Sequence, residues 1–273
     1  MAATASACAM VRRMTASIPA RFRLTLTPSQ RYMERLYLSF SPVWMAIIAY
    51  CMLTHCFAQW RDLGHMLLGL ALSVPLWIAP LVWTPSEEIG QPLLCRHSTK
   101  ANLFVALMSF LQCYFGSAMF FDGLGMQYHF PTKIIWNGTP LFLYFVTVSY
   151  FSTYYALMRL GLRLALAKRV NPSSLLVWTL IALLSYSMAF GETFFMASES
   201  LSAFFSYANR QKALLVGSVC YGTLFLISLP VFLRIDEDSR RPTPTLELFW
   251  RTLGANLLIL CAYEVYKVLL PLW

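Results

Sequence analysis

Residues Leu175 to Met196, LLVWTLIALLSYSMAFGETFFM, are long and apolar enough to cross a bilayer, and they carry one acid, Glu192, near their far end. Roughly 20 apolar residues span the hydrocarbon core. Every backbone polar group must be satisfied inside such a stretch, so it is a helix. An unpaired charge in hydrocarbon is expensive; a carboxyl group there faces the protein interior, takes a partner or a proton, and marks a functional path.

Six further windows, about residues 40 to 58, 63 to 83, 101 to 121, 140 to 161, 213 to 233 and 252 to 271, have the same character. The sequence therefore predicts an all-α, polytopic membrane protein: a bundle of about seven transmembrane helices forming one domain over residues 31–273. With 58% hydrophobic and 12% charged residues in 273, the chain is too apolar for a soluble globular domain. Pro42, Pro75, Pro80 and Pro230 fall inside these windows, where neighbouring helices can satisfy the carbonyls that proline frees.

A net charge of +9 invites a nucleic-acid reading, but its distribution argues for topology. When the connections are assigned alternately, Arg61, Lys133, Arg210, Lys212 and Lys267 are the five basic residues on one side, and the other sixteen fall on the side of the N-terminus. The positive-inside rule then puts the N-terminus in the cytosol, with the basic surplus facing anionic lipid. Residues 1–30, rich in Ala, Ser, Thr and Arg and free of acids, read as a disordered basic tail, with a transit peptide as the alternative.

Cofactor and metal motifs do not emerge. The seven cysteines have no CxxC spacing, the four histidines (His55, His65, His97, His129) have no paired spacing, and no glycine-rich nucleotide fingerprint occurs. Helix direction instead gathers polar groups in the far half of the bundle. Asp122, Glu192 and Glu264 fall there, near Tyr128, His129 and Arg210, while Gln112, Tyr114 and Ser117 in the third helix and Tyr150 and Tyr154 in the fourth need partners within the bundle. Acids, a histidine and tyrosines at one depth point to cofactor-free acid–base work on an apolar substrate. Plainer readings stand beside this one. Glu192 can be an interhelical tether, Glu264 can pair with Lys267 three residues on, Asp122 can simply be solvated, and an aromatic stripe is usually packing.

Several strings carry a resemblance: SQRYMERL and SPVW within 29–44, LLGL and VP within 67–75, KAN at 100–102, the aromatic run over 114–131, ETFFMAS at 192–198, and VGSVCYGTLFLISLPVFLRIDE at 216–237. In order and without large gaps over about residues 29 to 270, they resemble the cycloeucalenol cycloisomerase family of cyclopropyl sterol isomerases. The resemblance implies a multi-pass enzyme of the endoplasmic reticulum membrane that opens the 9,19-cyclopropane ring of cycloeucalenol to give obtusifoliol. Glu192, Tyr128, Pro131, Lys133, Asn137, Arg210, Arg234, Asp236, Glu237 and Glu264 fit that family's pattern by position; Ala118, Leu141 and Val148, where the family carries histidine, and Asn209, where it carries aspartate, depart from it.

Opening that ring needs a proton at carbon 19, cleavage of the bond to carbon 9 and loss of the proton on carbon 8. A strained carbon–carbon bond is a feeble base, so the donor must be a carboxylic acid kept neutral by apolar surroundings, which Glu192 fits best. Faces of Tyr114, Tyr150 and Tyr154 would stabilise the cation. Glu264, or His129 acting through a tyrosine, would serve as base; Tyr128 would line the substrate site, and Arg210 would anchor the sterol hydroxyl unless it forms a structural ion pair. A seven-helix receptor or transporter and a sterol double-bond isomerase are the rival classes.

Overall fold

The computed structural model describes residues 25–169, 171–238 and 240–269. The expected tail at residues 1–30 lies outside the described residues as far as residue 24, and by Pro28 the chain is already helical. Seven helices are long and apolar enough to cross a membrane: α1 (Pro28–Leu53), α2 (Asp62–Val82), α3 (His97–Leu124), α4 (Leu141–Leu166), α5 (Ser174–Met196), α6 (Arg210–Leu233) and α7 (Thr245–Leu269). The chain is thus an all-α, multi-pass membrane protein, as its apolar windows predict. Short two-stranded pairings in the connections are the only strands among the described residues.

Helix boundaries depart from the windows where the termini are polar. Helix α1 starts about a dozen residues before its window because Thr27 and Gln30 form a capping box and Pro28 sits at the first turn, where its missing N–H costs nothing. At α5, the Ser173 hydroxyl accepts from the Leu176 N–H at 3.2 Å. Helices α3 and α6 each contain one π turn, Gln112–Gly116 and Ala213–Gly217, an insertion that is often found beside functional sites.

Helix α4 runs through the middle, packed against α1, α2, α3 and α5, while α6 and α7 close the bundle between α5 and α3. The approach is close because small residues line it, as expected where lipid offers no hydrophobic drive for association. A Cβ added to Gly69 of α2 would stand 2.8 Å from the Phe142 carbonyl of α4. Ser149 of α4 donates to the Leu72 carbonyl at 2.7 Å, and Trp44 Nε1 of α1 donates to Thr153 Oγ1 at 2.9 Å. Pro80 cannot bond the Leu76 carbonyl one turn back; Asn102 Nδ2 donates to that carbonyl instead at 2.8 Å, and Tyr37 donates to Asn102 Oδ1 at 2.9 Å.

The connections sort into two ends. At the near end, the α6–α7 connection, the starts of α1 and α3 and the α2–α3 connection meet in a buried charged cluster. Asp236 takes His97 Nδ1 at 3.1 Å and Lys100 Nζ at 2.5 Å, and the Thr243 N–H donates to it at 2.8 Å. Gln30 Nε2 donates to the Ile235 and Asp236 carbonyls at 3.0 and 3.2 Å. Burial alone would raise the Asp236 carboxyl, but the hydrogen bonds and positive charge of His97 and Lys100 outweigh it and hold the group below the usual carboxylate range. Beside this cluster Glu34 pairs with Arg163, and the buried Arg159 donates to the Phe232 carbonyl at 3.3 Å with its guanidinium 4.4 Å from that ring's centre. The strings SQRYMERL, KAN and RIDE therefore converge here, in a clamp that ties three helix ends together.

At the far end, the α3–α4 and α5–α6 connections pair with each other. Strands β1 (Gln127–Tyr128) and β4 (Phe205–Ser206) run antiparallel, with Gln127 opposite Ser206 and Tyr128 opposite Phe205; β2 (Ile135–Trp136) and β3 (Thr139–Pro140) form a second small ribbon. Met126, Leu201 and Phe205 are buried beneath the first pair, which forms a cover over the helix ends.

Candidate functional site

Under that cover lies a cavity with an empty volume of about 630 Å³ counted to its open mouth, walled by α3, α4, α5 and α6. Its mouth is open, and its walls combine apolar rings with a few polar groups. Glu192, half-buried near the end of α5, is the one charged side chain among the described residues that line it. Tyr221 of α6 donates its phenol hydrogen to Glu192 Oε2 at 2.6 Å, and Tyr154 of α4 interacts with the same carboxyl from behind the wall. Phe120 and Phe225 stand edge-on or tilted to Tyr221 with ring centres 5.5 and 5.3 Å away, which fixes the phenol that holds the acid.

Opposite the acid, α3 and α4 supply a hydroxyl and thiol chain. The Tyr150 and Thr147 hydroxyls are 2.8 Å apart, Thr147 donates to the Leu143 carbonyl at 2.6 Å, and Cys113 Sγ is 3.2 Å from Thr147. The cover contributes Tyr128 from β1 and Phe205 and Tyr207 from β4 and its extension. The alternation of a short strand points residues 205 and 207 inward and Ser206 outward. Burial pushes both phenols, Tyr128 and Tyr207, above their ordinary range. They remain neutral donors throughout the physiological range.

The residues singled out in the sequence divide. Glu192, Tyr128 and Tyr150 line the cavity, Tyr154 backs it, and Gln112 and Ser117 face into it as expected. The structure does not bring the others to it. Glu264 sits on an outer face of α7, 70% exposed, and is paired with Lys267 at 2.8 Å. The inward face of α7 is set by Asn256, Ile259 and Tyr263, and Glu264 is rotated about 100° from Tyr263. His129 is exposed on the cover, with Nε2 at 2.9 Å from Ser206 Oγ. Asp122 is exposed near the end of α3. Tyr114 turns outward to pack on Phe115 and Trp136, with ring centres 4.6 and 5.4 Å away. Arg210 donates to the Ala197 carbonyl at 2.8 Å and lies over Phe194, so it pins the α5–α6 connection outside the cavity lining, and no ion pair to it occurs among the described residues. The expectation of acids and a histidine converging at one site is corrected: depth in the membrane is shared, but rotation about each helix is not.

Tyr221, Tyr207, Phe205 and Thr147 were not singled out. Tyr221 stands in the string VGSVCYGTLFL, yet no spacing in one helix announces an acid on its neighbour. The strand that turns Phe205 and Tyr207 inward is two residues long, too short to show a period.

The chain is 26% identical over 252 residues to the cycloeucalenol cycloisomerase of Arabidopsis thaliana, a likeness that covers 90% of this chain and 89% of that one. No family model and no solved structure matches the chain.

Proposed function

We propose that this chain is a membrane-embedded isomerase of the cycloeucalenol cycloisomerase family, resident in the endoplasmic reticulum, that opens the 9,19-cyclopropane ring of a cyclopropyl sterol. The end-to-end likeness to the plant protein supports the family. The observation that carries the chemistry is a single carboxyl group, Glu192, held by Tyr221 in a cavity otherwise lined by uncharged residues.

Proton addition to carbon 19 uses the carbon 9–carbon 19 bonding pair to form the new carbon–hydrogen bond, which leaves a cation at carbon 9. Loss of the carbon 8 proton then supplies the electrons of the 8,9 double bond. Glu192 gives the first proton. With Glu264 outside the cavity, the carboxylate just formed is the base at hand, and it recovers a proton from carbon 8 so that each turnover ends with the acid restored. Tyr221 donates to Oε2 throughout, so the other oxygen carries the transferred proton. The faces of Phe120, Tyr150 and Phe151 surround the cation without offering a strong nucleophile, each worth about 1 to 2 kcal/mol in a desolvated site.

The test is to express the chain in yeast, feed cycloeucalenol and analyse the extracted sterols. Accumulation of obtusifoliol is the expected result. Recovery of unchanged cycloeucalenol from membranes containing the inserted protein overturns the assignment.

A further inference from the structure

The hydroxyl groups around the cavity are not equally committed. Tyr221 donates to Glu192, Tyr150 is bonded to Thr147, and Ser117, Thr139 and Thr147 donate to backbone carbonyls. Tyr128 and Tyr207, both on the cover, are different. Among the described residues neither phenol oxygen has a hydrogen-bond partner, and neither is one of the fully buried polar atoms left without one. Both oxygens therefore retain surface, and both side chains line the cavity. Their rings are fixed although their hydroxyls are not. Phe205 packs against both, its ring centre 5.1 Å from that of Tyr128 and 5.3 Å from that of Tyr207. Phe121 stands edge-on to Tyr128 at 5.8 Å. Beside Tyr207, the Ala208 N–H donates to the Leu124 and Gly125 carbonyls at 3.3 and 3.2 Å.

Two ordered phenols with free hydroxyls on the wall of one cavity form a preorganised site for a small polar group. A phenol both donates and accepts, so the pair can donate to a ligand oxygen and accept its proton, which matches an alcohol. A carboxylate ligand could only accept, and it would share the cavity with Glu192 where no cation lines the wall. We propose that Tyr207 and Tyr128 bind the ligand's hydroxyl group, so that an apolar polycyclic alcohol sits with its polar end at the cover and its reacting carbons beside Glu192. The inference rests on the proposed function for the ligand's chemical class. In a cyclopropyl sterol the 3-hydroxyl lies on the ring adjoining the cyclopropane, so anchor and acid must be near each other in depth. Glu192 is one turn of α5 from Met196, which packs against the same buried residues of the cover as the two phenols. The phenols thus take the anchoring role that the sequence suggested for Arg210.

The experiment measures binding and turnover of full-length protein in lipid nanodiscs with cycloeucalenol and with its 3-deoxy analogue. Wild-type protein is expected to bind the alcohol about tenfold more tightly than the analogue. Tyr207→Phe and Tyr128→Phe remove only hydroxyls that bond nothing in the protein, so both variants should keep thermal midpoints within about two degrees of wild type. Each is expected to weaken binding of the alcohol about threefold, and the double variant to erase the preference, with the analogue bound within about twofold of wild type throughout. Equal losses for both ligands, or a preference that survives in the double variant, overturns the proposal; survival leaves the ligand hydroxyl to Thr193, which lines the cavity beside Glu192 and whose own hydroxyl also lacks a partner among the described residues. Ring opening with no phenol-dependent preference sinks this inference alone. A phenol-dependent preference with no ring opening sinks the isomerase reading alone, and wild-type protein that binds neither sterol rejects both.

Discussion

The two ends of the bundle use the same kinds of side chain to opposite ends. At the near end, Asp236, His97, Lys100, Glu34, Arg163 and Arg159 are packed against each other and against helix-end carbonyls, and opposite charges meet. At the far end one acid faces uncharged walls, with no cation among the lining residues, and beside it is empty space. Charges that meet their opposites fix a structure. A lone carboxyl group, held by phenols next to a cavity, retains the freedom to move a proton. The strings that carry the resemblance divide between the two ends: SQRYMERL, KAN and RIDE lie at the first, while ETFFMAS, which contains Glu192, and VGSVCYG, which contains Tyr221, lie at the second.

The contrast breaks or sharpens through substitution. The largest effect is expected for Glu192→Gln: turnover should fall by at least about a hundredfold, as for loss of a general acid, while the thermal midpoint in detergent stays within a few degrees because Tyr221 can donate to the amide oxygen. Asp236→Ala should do the reverse. It leaves Lys100, 1% exposed, without its carboxylate and should cost about 3 kcal/mol of stability, read by thermal or denaturant unfolding, with turnover per folded molecule nearly unchanged.

Acid distinguishes the ends in the same sense. The folded-state carboxyl of Asp236 is held below its ordinary value of 3.8, so its contribution to stability is fully present above that value and is lost as pH falls through the lower, folded one. A pH scan of the thermal midpoint should show this loss below about pH 4, and Asp236→Asn should flatten it. Tyr221→Phe removes one hydrogen bond to the acid and should lower kcat about tenfold with KM little changed. The smallest effect is expected for Glu264→Gln, whose exposed pair with Lys267 is worth less than about 0.5 kcal/mol; turnover and stability should both match wild type, and a large loss of turnover would return Glu264 to the reaction.

Much of this was legible in the sequence, for reasons that also explain the rest. Seven apolar windows give seven helices because hydrocarbon permits little else. Glu192 stands out because nothing in its own helix answers its charge. Depth was legible for Glu264 too, but depth is one coordinate of two. The inward face of α7 was there to be read in Asn256 and Tyr263, one heptad apart, and it excludes residue 264. The start of α1 was hidden because a capped, amphipathic helix end has no apolar run, although the Thr27–Gln30 capping pattern marks it. The β1–β4 cover and the Tyr221–Glu192 bond join segments far apart in the chain, and no local pattern encodes either.

The most direct measurement is a single turnover of cycloeucalenol by protein equilibrated in heavy water beforehand, followed by mass and NMR analysis of the product. Proton delivery from the Glu192 carboxyl group requires one deuterium in the carbon 19 methyl group, and no product from Glu192→Gln under the same conditions. An unlabelled methyl group, or near-normal product from Glu192→Gln, would contradict it.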